Sequence, residues 1–140
     1  MGGGGRYCVD ICGASVTCTD GNPCTTDACD SATGCVYINN TAPPETQNIA
    51  VAADKATYSW SASTYATQYD VVRGSTEAFP VGPGGGDEVC FDNLAGTSLN
   101  DSTIPATGTG FWYLSRGANA CGIGTWGNAT SGPRVTTTCP

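Results

Sequence analysis

The sequence contains no histidine, only five lysines and arginines, and one methionine. Without histidine there is no general base of the kind a Ser-His-Asp or Cys-His arrangement uses. With 12 acidic residues against the five basic ones the net charge is −7, which excludes a nucleic-acid partner. No apolar run approaches the ~18 residues that a membrane-spanning helix requires, so no membrane insertion is expected. The opening "MGGGGRY" lacks the apolar stretch of a signal peptide. It reads as a flexible glycine-rich tail, residues 1–7, on a processed secreted chain or on a piece of a longer one. Cysteine pairs of the CxxC type are also missing, which argues against a thioredoxin-like redox centre and against an all-cysteine zinc site.

What is present is cysteine, nine residues in 140. Such density in a small chain with no metal spacing predicts disulfides formed in an oxidising compartment, hence an extracellular or cell-surface location. Acid–base chemistry has one candidate group, Asp87, Glu88 and Asp92. A small all-β domain offers no deep cleft to raise one of those carboxyls, so they read as a solvated loop and strand edge. The glycine-rich "VGPGGGDE" lacks the lysine and the strand-to-helix setting of a phosphate-binding loop. The chain is therefore expected not to be an enzyme, and it requires no cofactor.

Composition changes near Asn39. Residues 8–42 are rich in cysteine and poor in large apolar side chains, too poor to offset chain entropy by burial. Disulfides would stabilise that module by restricting the unfolded chain, with little regular secondary structure. Residues 43–140 alternate apolar and polar positions as β-strands do. Seven strands are expected, at Gln47–Asp54, Ala56–Ser63, Thr67–Gly74, Glu88–Leu94, Thr97–Asp101, Gly110–Asn119 and Gly124–Gly132. No stretch carries a 3.6-residue apolar period. The expected class is all-β, a seven-stranded β-sandwich preceded by the disulfide-rich module.

Two resemblances follow from particular residues. The stretch from Pro44 to Gly132 resembles a fibronectin type III domain, through "PPETQNIAV", Trp60 in "YSWSAS", "YDVVRG", and "GFWYLSRGANACGIGTWG" with Tyr113, Asn119 and Gly122. It departs from that pattern at Ser115 and Gly117, where larger apolar residues are usual, and at Phe111, where a corner tyrosine often sits. The stretch "CTDGNPCTTDACDSATGC", Cys18–Cys35, is similar to a four-cysteine repeat of slime-mould extracellular-matrix proteins and secreted bacterial surface proteins. That resemblance implies an extracellular setting.

Sequence alone does not choose among the disulfide connectivities. The expected scheme crosses Cys18–Cys29 with Cys24–Cys35 and leaves Cys8–Cys12 as a local bridge. In the fibronectin-like topology the fourth strand and the turn after the sixth share a pole, which favours Cys90–Cys121. A final strand of twelve residues would carry Cys139 ~35–40 Å from Cys121. Cys139 is then left unpaired or bridges to another chain. Asp20, Asn22, Asp27 and Asp30 are candidate calcium ligands by residue type, but the favoured reading is that they make side-chain turns. Asn39, Asn100 and Asn128 head glycosylation sequons. Trp112, out of phase with Phe111 and Tyr113, and Trp126 are candidates either for covering the sheet or for a binding surface.

Taken together, these features predict a non-catalytic structural or adhesive module of a surface filament or matrix assembly. Its partners would be copies of itself or other extracellular matrix and surface proteins. The alternative is a carbohydrate- or protein-binding accessory module of a larger secreted protein.

Overall fold

The computed structural model describes residue 12 and residues 17–79 and 85–139. The glycine-rich tail, Cys8 and most of the 80–86 glycine loop lie outside the described residues. The chain divides into two compact units, Met1–Asn40 and Thr41–Pro140. The described residues are all-β, with no α-helix and one single-turn 3-10 segment at Thr76–Ala78.

The first unit contains a hairpin, which corrects the expectation of little regular structure. Strand β1 (Thr25–Asp30) pairs antiparallel with β2 (Gly34–Asn39), in an unbroken register from Thr25↔Asn39 to Asp30↔Gly34. The turn forms because Asp30 accepts bonds from the N–H groups of Ala32 and Thr33 and from the Thr33 hydroxyl. These donors hold the Asp30 carboxyl below the ordinary carboxylate range. Gly34 closes the turn at φ 89°, a backbone conformation that side-chain-bearing residues rarely adopt.

The second unit has two main sheets. Strands β3 (Gln47–Val51), β4 (Thr57–Ser61) and β7 (Ser98–Asn100) form one in the order β3-β4-β7. Strands β5 (Gln68–Ser75), β6 (Val89–Leu94), β8 (Phe111–Asn119) and β9 (Gly122–Ile123) form the other in the order β6-β5-β8-β9. All the pairings are antiparallel. The sheets meet across a core of Trp60 and Leu99 from the first and Tyr69 and Val71 from the second. Tyr58 stacks on Tyr113 at 3.9 Å between ring centres, and Trp60 meets Tyr69 edge-on at 5.7 Å.

The seventh expected strand is the clearest departure. Only Gly122–Ile123 pairs with β8. The chain then leaves the sheet and makes a small hairpin from β10 (Asn128–Ala129) and β11 (Gly132–Pro133). Glycines at 124, 127 and 132 supply neither side-chain packing nor strand preference, so "GTWGNATSG" turns back where alternation alone suggested a strand.

Candidate functional site

The cysteines of the first unit are positioned by the hairpin register. Cys29 on β1 lies directly opposite Cys35 on β2. Each reaches back along the sequence, Cys29 to Cys12 and Cys35 to Cys18. Both links span 17 residues, so two interleaved loops are fastened to one rung of the ribbon. This replaces the expected Cys18–Cys29, Cys24–Cys35 and Cys8–Cys12 pairs. Cys24 sits at the open end of the hairpin, where its carbonyl accepts the Asn40 N–H at 2.8 Å. Along the strand it is ~17 Å from the Cys29–Cys35 rung, too far for a disulfide. Among the described residues Cys24 is a half-buried free thiol.

Of the candidate calcium ligands, Asp20, Asn22 and Asp27 are brought together, and Asp30 is not. Asp20 accepts the Asn22 N–H at 2.8 Å and the Thr25 hydroxyl at 2.9 Å, while the Asn22 side chain accepts the Cys24 N–H at 2.9 Å. These are successive Asx turns, the fold-forming use of such residues. Asp27 receives the Asp20 N–H at 3.3 Å, and among the described residues its other oxygen is buried without a partner. Asp30, an odd number of residues along the strand from Asp27, faces the opposite side and caps the far turn. Among the described residues, no group of three or more acidic or cysteine side chains could hold a metal ion.

In the second unit the candidate tryptophans lie on the outer face of the four-stranded sheet. Gly74 on β5 stands directly opposite Trp112 on β8. A β-carbon at Gly74 would fall 2.1 Å from the Trp112 ring, so only glycine lets the indole lie across β5. The Trp112 ring nitrogen donates to the Ser75 carbonyl at 2.9 Å. Trp126 stacks over the Arg116 guanidinium at 4.4 Å, and Arg116 pairs with Asp70 at 2.9 Å. Val72, Trp112, Trp126 and Cys139 form a second buried cluster on this face. The segment after β9 thus covers the sheet as a strap. Trp112 and Trp126 are 9% and 6% exposed, so neither forms a binding surface.

The strap is clamped at its end by Cys90–Cys139. Cys90–Cys121 is overturned because Cys90 lies on β6 and Cys121 beside β9, at opposite edges of the sheet. Three strand spacings, ~14 Å, separate those edges. Cys139 is not left over, because the chain reverses after Ile123 and brings it back over Val71 and Val72. The Glu88 carboxylate fastens the same segment by accepting the hydroxyls of Thr136 and Thr138. Asp87 accepts the Ser75 N–H at 2.7 Å, and Asp92 is exposed. Two of the three acidic candidates therefore organise the loop and strap.

Sequence reasoning did not single out Asp101. Its carboxylate receives Arg73 at 2.7 Å, the Tyr113 hydroxyl at 3.0 Å and the Thr103 N–H at 3.0 Å. Burial raises its pKa, but the bonds from Thr103, Tyr113 and Arg73 outweigh burial and leave it below the ordinary range. Burial, with the neighbouring Tyr58 hydroxyl and Asp101 charge, pushes the Tyr113 phenol far up. The signal available in the sequence was an aspartate just past a strand, in "SLNDST". The sequon residues Asn39, Asn100 and Asn128 are all exposed.

The geometry defines the class first: an all-β protein with a disulfide-tied hairpin unit and a two-sheet unit. The comparison is narrower. Residues 17–39 match the family model described as a Dictyostelium (slime mold) repeat. The matched span contains Cys18, Cys24, Cys29 and Cys35. A cysteine-rich repeat with bonded cysteines is consistent with an extracellular or surface protein. No significant match is found among curated proteins or among solved structures.

Proposed function

We propose that the chain is a non-catalytic structural or adhesive module of an extracellular assembly, a matrix or filament in which it contacts further copies of itself or other surface proteins. The observation that carries this reading is the repeat hairpin, whose one rung is fastened by two disulfides and whose polar side chains are spent on turns. Its chemistry goes into holding shape. We further propose that the second unit is fibronectin type III-like. The sheet orders β3-β4-β7 and β6-β5-β8-β9 support that reading, and a spacer or adhesive use of such a unit fits the first proposal. Burial of Trp112 and Trp126 weighs against the carbohydrate-binding alternative, because neither ring is open for a sugar to stack on.

The test is electron microscopy with light scattering on the purified, oxidised full chain. Regular oligomers or filaments are expected. Isolated monomers at every concentration, or tight sugar-specific binding on a glycan array, would overturn the assembly reading.

A further inference from the structure

The four-stranded sheet stops short along β8. Backbone groups on a strand alternate sides, and here the sides can be assigned. Ala118 O accepts from Thr67 N–H and Gly110 O from Thr76 N–H, so even-numbered residues point toward β5. Gly117 O accepts from Gly124 N–H at 2.8 Å, so odd-numbered residues point the other way. On that side β9 pairs only with Ala118 and Asn119. Below them the backbone of Phe111, Tyr113 and Ser115 faces an open edge. Among the described residues its one partner there is the Thr46 side chain, which bonds Ser115 O at 2.6 Å.

That edge is recessed. Two depressions, ≈ 270 Å³ and ≈ 180 Å³, share Ile49 and Tyr113 and run between β3 and β8. Trp126 and Arg134 of the strap form the other wall of the larger one. Ile49 and Val51 remain 42% and 55% exposed beside it, above the Tyr58–Tyr113 stack. Among the described residues the site therefore combines unpaired strand donors and acceptors with a lining that is apolar at Ile49, Val51, Tyr58 and Tyr113 and polar at Glu45, Gln47 and Arg134.

We infer that this slot receives residues 6–11 of a second copy as an added strand on β8. In "RYCVDI" Tyr7, Val9 and Ile11 alternate with Arg6, Cys8 and Asp10, so one face is apolar and the other polar. Added strands bind in this way, through backbone bonds with alternate side chains filling pockets. Six residues extend ~20 Å, against ~14 Å from Phe111 to Ser115. The segment is anchored on its C-terminal side, where it runs into Cys12, which is tied to Cys29. It carries one cation and one anion, so it adds no net repulsion when it approaches a chain of charge −7. The contact is heterologous, so repeating it builds a ring or an open series of subunits.

The inference rests on the assembly reading, and one experiment separates the two. Amide exchange and light scattering are followed against concentration for three full-chain proteins: wild type, a deletion of residues 2–11, and Val9→Pro. A peptide of residues 5–11 carrying Cys8→Ser is then added to the deletion protein. In the wild type the Tyr113 and Ser115 amides should slow at least ~10-fold as the protein associates. Deletion and Val9→Pro should abolish association and that slowing, with near-ultraviolet dichroism unchanged, and the peptide should restore the protection. Association that survives the deletion overturns the strand inference and leaves the assembly reading standing. A wild type that stays monomeric overturns both.

Discussion

Asp101 gathers a guanidinium, a phenol and a backbone N–H onto one carboxylate that is nearly buried. Replacing it with asparagine leaves Arg73 without its charge partner, and loss of such a pair costs roughly 3 kcal/mol. The pH dependence has a fixed sign. The folded carboxyl titrates below its unfolded value, so its contribution is complete above the unfolded pKa of ~3.9 and is lost as pH falls through the lower folded value. Asp101→Asn should thus be markedly less stable than wild type at pH 7. The gap should close under acid, read as urea midpoints at pH 7, 4 and 2. A gap that persists undiminished at pH 2 would sink the account. None of this was readable from "SLNDST", because the three donors arrive from β5, β8 and the following loop. Ser115 and Gly117 have the same explanation. Both looked anomalous in the strand pattern, yet Ser115 bonds Thr46, and a β-carbon at Gly117 would lie 2.8 Å from Ala66.

Among the elements, six strands of the second unit were legible because each keeps a two-residue alternation and ends at turn residues. The last was not. "GTWGNATSG" holds one large apolar residue, and Trp126 packs on the outer face of the sheet where a paired strand was expected. That single reversal also explains the wrong cysteine partner, since the distance argument against Cys139 assumed a straight final strand. The correction predicts what the clamp does. Cys90–Cys139 closes 49 residues, which on the chain-entropy model is worth about 4 kcal/mol. Cys139→Ser should lower stability by about that amount. It should also shift tryptophan emission to the red as the strap loosens over Trp112 and Trp126. Removing the Cys12–Cys29 link instead, with Cys12→Ser, should leave that emission unchanged, because the hairpin unit holds no tryptophan. A red shift in the second variant, or none in the first, would contradict the assignment of the strap.

For the whole molecule the controlling quantity is charge. The division into two units was legible from the loss of cysteine after residue 35 and the onset of alternation after Thr46. The charge distribution was not, because it depends on which cations are buried. Of the five basic residues, Arg73 and Arg116 are consumed in ion pairs with side chains at most 12% exposed. Each pair takes an aspartate with it, so the net charge stays −7, carried by ten acidic residues against the three other basic residues of the sequence, Arg6, Lys55 and Arg134. Copies that associate must bring these anionic surfaces together. Repulsion reaches ~30 Å at 0.01 M salt and only ~8 Å at physiological strength. Association should therefore strengthen as sodium chloride rises from 0.01 to about 0.15 M, opposite to the behaviour of a contact held by complementary charges. Calcium chloride at matched ionic strength serves as the control. If the carboxylates around Asp20 and Asp27 act only in turns, calcium and sodium should give matching association curves by light scattering and matching melting temperatures. A rise in melting temperature specific to calcium would restore those residues as ligands. Association that weakens with added sodium chloride would mean that the contact is made by attraction between charged groups rather than by strand pairing.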